Sequence, residues 1–225
     1  MSESEVLTRV ESGVGRITLN RPKALHALNR AMCEAMTEAL LAWREDDGVH
    51  SVLIDHAGER GFCAGGDIRM IAESGAGDGK AARLFFHTEY RLNHLLFTYP
   101  KSVVAIMDGV TMGGGVGLSV HGMYRVAGDK YSFAYPEVGI GFFPDVGATH
   151  VLPRLPGKTG LWIALTGSRV NADDGVSCGL ATHRVASSQF AELERALETD
   201  ESVSEVLKTF SQKPVPGKLA ADRPL

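Results

Sequence analysis

Apolar and polar residues alternate from Val6 to Asn20 around Ser12 and Gly13, a pattern that predicts a β-hairpin. Arg21-Pro22 breaks the alternation. Asn29 then precedes a run in which Met32, Met36, Leu40 and Trp43 form one stripe, so a capped amphipathic helix is expected to about Asp46. Further expectations are a strand over 51–55, a glycine-rich loop over 58–66, a short helix over 67–73 and a connector over 74–79. Residues 80–98 read as a long amphipathic helix closed by Pro100, and 102–107 as a buried strand. Asp108-Gly109, the run Gly113-Gly114-Gly115-Val116-Gly117 and a helix to about Val120 follow, then a strand over 124–127. After Pro153 the pattern is mostly helical, over 160–165, 172–178, 188–197 and 201–210, with a polar, proline-containing tail over 214–225. The recurring strand, strand, helix order suggests an α/β fold built on a ββα unit, without a clear residue-level repeat.

Composition narrows the function classes. The 225 residues suffice for one domain with a sizeable core, and 44% apolar with 22% charged residues is ordinary for a globular protein. A net charge of -4 shows no basic excess, so neither nucleic acid nor an anionic membrane is an expected partner. No apolar run approaches the ~20 residues of a membrane span. Cys33, Cys63 and Cys178 are odd in number and widely spaced, which argues against a disulfide framework and for a reducing compartment. With an acidic, unapolar N-terminus, the expectation is a cytoplasmic protein. The eight histidines, His87 and His94 among them, form no metal-ligand spacing, and no metal is expected.

Two glycine loops and three acids are the candidate chemistry. Residues 61–68 and 112–117 each place small residues between a strand and a helix, where free backbone N–H groups face a ligand. One such loop alone is best read as a plain turn; two in one chain make a two-donor oxyanion site plausible. Neither is a dinucleotide fingerprint, since Leu118 stands sixth from Gly113. Gly157-Lys158-Thr159 is no phosphate loop, with Leu152 at the first glycine and Pro153 and Pro156 inside it. Gly117-Leu118-Ser119-Val120-His121 is no nucleophile elbow, because His121 replaces the closing glycine. Glu137 and Asp145 stand eight positions apart in an apolar, glycine- and proline-bent stretch. Helix capping explains either singly; burial beside Tyr135, Val138, Ile140, Phe142 and Phe143 would suit them to acid–base work. Glu89 falls in the stripe Phe85, Glu89, Leu92, Leu96, the buried face of its helix. A place at the edge of that stripe, reaching water, fits the periodicity equally well.

Four stretches, in this order, resemble the crotonase (enoyl-CoA hydratase/isomerase) superfamily: NRPKALHAL at 20–28, GFCAGGDIR at 61–69, DGVTMGGGVGLSVHG at 108–122 and PEVGIGFFPDVGATHVLPRL at 136–155. Within it they are most similar to the 3-hydroxyisobutyryl-CoA hydrolases. The resemblance implies a spiral of ββα units with C-terminal helices, binding an acyl-CoA thioester whose oxygen meets the amides of Gly66 and Gly114. It implies that Lys23, Ala24 and Leu25, and the loop carrying Ala64, Gly65, Gly66, Asp67 and Ile68, lie along the CoA. It also implies substrate contacts from Glu89, Gly114, Glu137 and Asp145, of which Glu137 and Asp145 are the expected catalytic acids. Hydratases of the superfamily carry a second glutamate where this chain has Gly117, so hydrolysis of a short branched 3-hydroxyacyl-CoA, as in valine breakdown, is the favoured expectation. An enoyl-CoA or dienoyl-CoA isomerase or a hydratase is the alternative, and a non-catalytic acyl-CoA-binding protein the other. Coenzyme A belongs to the substrate, so no separate cofactor is expected. The core is expected over 1–197, with 198–225 a helical segment and tail, the start of a truncated C-terminal region. The resemblance also implies a homotrimer or higher homo-oligomer.

Overall fold

The computed structural model describes residues 4–199, 202–215, 217 and 219; Glu201, where the last expected helix begins, and most of the expected tail lie outside the described residues. The hairpin forms as read. Strands β1 (Val6–Glu11) and β2 (Val14–Leu19) pair antiparallel, and Ser12 and Gly13 take φ of 47° and 79°, as a two-residue hairpin turn requires. Helix α1 (Arg30–Arg44) starts where Asn29 Oδ1 accepts from the Met32 N–H at 2.9 Å, and it buries Met32, Met36, Leu40 and Trp43. It stops short of Asp46, whose carboxylate instead accepts from the Gly48 N–H at 2.8 Å, a local turn that competes with helix.

The rest of the core repeats one unit. β3 (Ser51–His56) and β4 (Gly61–Cys63) lead into α2 (Ile68–Gly75) and α3 (Lys80–Phe97); β5 (Ser102–Met107) and β6 (Val110–Met112) lead into α4 (Gly114–Ser119). β7 (Tyr124–Ala127) and β8 (Ser132–Ala134) lead into a 3-10 turn at Pro136–Ile140. Helices α5 (Ala148–Val151), α6 (Thr159–Thr166) and α7 (Ala172–Cys178) follow, then β9 (His183–Arg184), α8 (Phe190–Leu197) and α9 (Val203–Phe210). The first strand of each unit joins a sheet of order β1-β2-β3-β5-β7-β9, and the second joins a sheet of order β4-β6-β8. Beyond the hairpin the described pairings within both sheets are parallel. β3 is buried at five successive positions, as a parallel strand covered on both faces must be.

Four strands differ from expectation. β4 lies inside the stretch read as loop, β6 lies just before the glycine run, and β8 and β9 fall where no strand was expected. None exceeds three residues, too short to show a period, and β4 opens on a glycine. The fully buried Phe62, Phe85, Phe133 and Tyr135 belong to the main core cluster, each aromatic worth roughly 1.5–3 kcal/mol of burial. Among the described residues no helix is long and apolar enough to cross a membrane, and no cluster of three metal-ligating side chains occurs.

Candidate active site

The small parallel sheet builds the site. Its three strands run the same way, so their carboxyl ends open together, the usual place for a ligand in parallel α/β architecture. Just beyond β4 come Gly65-Gly66, just beyond β6 Gly113-Gly114 and just beyond β8 Pro136-Glu137. Those six residues line one cavity of about 440 Å³, closed by Phe85, Phe86 and Glu89 of α3, by Ile68, Ile71 and Ala72, and by Phe142 and Asp145.

Backbone geometry leaves two N–H groups available. Leu28 bridges Gly66 in parallel register: the Leu28 N–H donates to Gly65 O at 2.7 Å and the Asp67 N–H to Leu28 O at 2.8 Å. Gly66, between those bonds, therefore turns its own N–H to the other side. Gly114 is the first residue of α4, so its N–H has no intrahelical acceptor. The chain reaches that helix through Gly113, whose φ of 48° with ψ of -120° is open to glycine alone. The two loops pack backbone to backbone, and a Cβ on Gly65 would stand 3.4 Å from Gly114 N.

Three carboxyls face this cavity. Glu89 is 2% exposed, its Oε1 is unpartnered among the described residues, and that atom lies so close to Gly114 that no Cβ fits there. The buried-stripe reading therefore holds and the edge reading does not. Burial, then the charges of Asp145 and Glu137, push the Glu89 pKa up to about 8, so it keeps its proton at neutral pH. Glu137 is buried in the first turn after Pro136, with Oε2 unpartnered. Burial, with a smaller push from Asp145, raises it to about 7 against its own backbone N–H, which lowers it. Asp145 does not cap a helix; Gly147 holds that place before α5, and Asp145 Oδ2 accepts from the Tyr90 hydroxyl at 2.6 Å. Burial raises Asp145, and the Tyr90 hydrogen bond partly offsets this.

A raised carboxyl pKa has a stability consequence. Unfolded Glu89 titrates near its ordinary 4.5, folded Glu89 near 8, so between these values the folded chain holds a proton the unfolded chain lacks. That contribution is complete below about pH 4.5 and falls until about pH 8. Glu89→Gln is expected to flatten this fall. Chemical denaturation at a series of pH values measures it, and an unchanged slope in the variant contradicts the assignment.

The remaining expected residues divide. Ala64 and Ile68 line the cavity. Lys23, Ala24 and Leu25 form a turn outside it, laid along the loop by the Ala64 N–H donating to Leu25 O at 2.9 Å. His26 fixes that turn: its Nδ1 accepts from the Arg21 N–H at 3.0 Å and its Nε2 donates to Ala57 O at 2.9 Å. Burial lowers its pKa to about 4, which keeps it neutral. Asp67 is turned away: it caps α2 at the Met70 N–H and pairs with Arg21 at 2.9 Å. His87 and His94 are exposed. Tyr90 and Asn93, next to Glu89 and one turn beyond it, escaped the sequence reading; the spacing from Glu89 was the available signal.

Residues 14–224 match the family model described as Enoyl-CoA hydratase/isomerase. Among curated proteins the chain is similar to the mitochondrial 3-hydroxyisobutyryl-CoA hydrolases of Danio rerio (48% identity over 98% of this chain and 58% of that one) and Xenopus tropicalis (46%, 95% and 57%). That of Homo sapiens is 46% identical over 92% of this chain and 55% of that one. The chain thus spans little more than half the length of these relatives. Among solved structures, a carnitinyl-CoA dehydratase from Mycobacterium thermoresistibile matches with a TM-score of 0.95 and 48% identity, over 98% of this chain and 65% of that one. An enoyl-CoA hydratase from Rhodobacter sphaeroides matches at 0.83 and 41%, over 92% and 64%. The expected spiral of ββα units is thus the fold these relatives share. The expectation of a cytoplasmic protein is corrected: these curated animal relatives are named as mitochondrial, and a missing signal core or reduced cysteines do not separate those compartments.

Proposed function

Because the chain belongs to the enoyl-CoA hydratase/isomerase family, we propose that its cavity cleaves the thioester of a short 3-hydroxyacyl-CoA, of the 3-hydroxyisobutyryl-CoA kind, to free acid and CoA. The observation that carries the reading is the grouping of two open backbone N–H donors with a buried acid poised near neutrality, and no second acid at Gly117. The amides of Gly66 and Gly114 receive the thioester oxygen as it gains charge, each donor typically worth ~2.7–4 kcal/mol of barrier. Glu137, ionised above about pH 7, attacks the thioester carbon or takes a proton from the water that does. Asp145, held by Tyr90, orients that water or the acyl hydroxyl. Glu89, protonated at neutral pH, bonds the hydroxyl. CoA enters as part of the substrate along Lys23, Ala24 and Leu25.

A Cβ at Gly117 would stand 2.7 Å from Asn93 Nδ2 and 2.8 Å from Val146 Cβ, so there is no room for the glutamate that water addition across a double bond would need. Thiol release from 3-hydroxyisobutyryl-CoA by the full chain tests the reading. kcat/KM is expected to rise with pH through about 7 as Glu137 loses its proton. Rapid isomerisation or hydration of an unsaturated acyl-CoA with no thiol release overturns hydrolysis. Tight binding of the thioester without any turnover points to the non-catalytic alternative.

A further inference from the structure

Asn93 sits one turn beyond Glu89 on the same face of α3 and is 5% exposed. Neither its Oδ1 nor its Nδ2 has a hydrogen-bond partner among the described residues. A buried, unpaired carboxamide weakens a fold, and native chains seldom keep one without use. Its place is specific. Asn93 stands over Gly117, and with Tyr90, Phe97, Asp145 and Val146 it lines a second cavity of about 430 Å³. Asp145 lines this cavity and the thioester cavity alike, so the two adjoin at that residue. Tyr90 commits its hydroxyl to Asp145, while neither end of the buried Asn93 carboxamide has a partner among the described residues. Gly117 follows Gly114 by three residues on α4, about 4.5 Å of helix rise. A hydroxyl on the third acyl carbon is three bonds from the thioester carbon, so it spans a similar distance.

We propose that the carboxamide of Asn93 binds the hydroxyl of the acyl group and so selects hydroxyacyl thioesters over their plain acyl analogues. A hydroxyl both donates and accepts, and either end of the carboxamide can pair with it. The proposal rests on the thioester reading above for where the acyl chain lies.

The test compares the full chain with Asn93→Leu on two ligands of one skeleton, 3-hydroxyisobutyryl-CoA and isobutyryl-CoA. Dissociation constants come from calorimetry and kcat/KM from thiol release. The wild type is expected to prefer the hydroxylated ligand by about thirtyfold or more, because a site built for a hydroxyl rejects its absence. In Asn93→Leu the ratio is expected to fall to about one. Tm should hold or rise, since leucine has nearly the same shape and removes an unpaired buried amide. An unchanged ratio overturns the proposal. So does an equal loss on both ligands with a lower Tm, which marks a packing role only. If the leucine variant fails to fold, Asn93→Ala carries the same comparison. A wild type that releases thiol from neither ligand overturns the hydrolase reading alone, because the ratio of dissociation constants still tests Asn93.

Discussion

Glu137→Gln is expected to lower kcat/KM for thiol release by about 10³-fold, within the 10²–10⁴ range of a positioned proton-transfer group. The amide keeps the shape of the carboxyl and its place after Pro136, but it cannot attack a carbonyl or accept a proton. Stability is expected to hold or rise, since burial costs the native carboxylate part of its solvation and its Oε2 is unpartnered among the described residues. Loss of rate with an unchanged Tm therefore separates chemistry from folding. Single turnover in oxygen-18 water then tests the covalent route: label incorporated in Glu137 marks an anhydride opened at the Glu137 carbonyl, whereas label confined to the product acid is common to direct attack by water and to an anhydride opened at its acyl carbon. A variant that keeps more than about a tenth of the wild-type rate removes Glu137 as the reacting group.

The parts of this site differ in how far the sequence reveals them, for physical reasons. Glu89 was legible because an acid on an otherwise apolar helix face breaks the period, and its burial bears that out. Asn29 was legible because its cap bond reaches only three positions along the chain, to the Met32 N–H. The strands β4, β6 and β8 were not, although the site hangs on them. They have three residues each, and their pairing partners stand 49 and 22 residues away, as in Gly61 with Val110 and Val110 with Ser132. Tyr90 and Asn93 were missed because their meaning lies in Asp145 and Gly117, partners supplied by tertiary packing and invisible to local spacing. The roles assigned to Gly66 and Gly114 came from resemblance; the bridge at Leu28 and the conformation of Gly113 supply the physical grounds for them.

Gly114→Ala provides a second large expected effect, and one whose sign runs against local propensity. Alanine at a helix position normally stabilises by about 1 kcal/mol over glycine. Here the added Cβ meets Glu89 Oε1, stands 3.0 Å from Leu28 Cδ1 and 3.4 Å from the Gly65 carbonyl carbon. Two of these neighbours belong to the layer that holds the Gly66 N–H in place, and the third is the carboxyl of a buried acid. The added methyl displaces the Glu89 carboxyl and presses on Leu28, which seats the Gly66 loop, so the two donors are expected to move apart. Disabling one donor of such a pair costs about 10²–10³ in kcat, with KM little changed because the oxygen becomes charged only in the transition state. Tm is expected to fall as well. Gly75→Ala is the control: it lies in α2 and a Cβ there has no neighbour within 4 Å, so thiol release should match the wild type while Tm holds or rises. Wild-type kcat in Gly114→Ala would mean that the thioester oxygen is held elsewhere in the cavity.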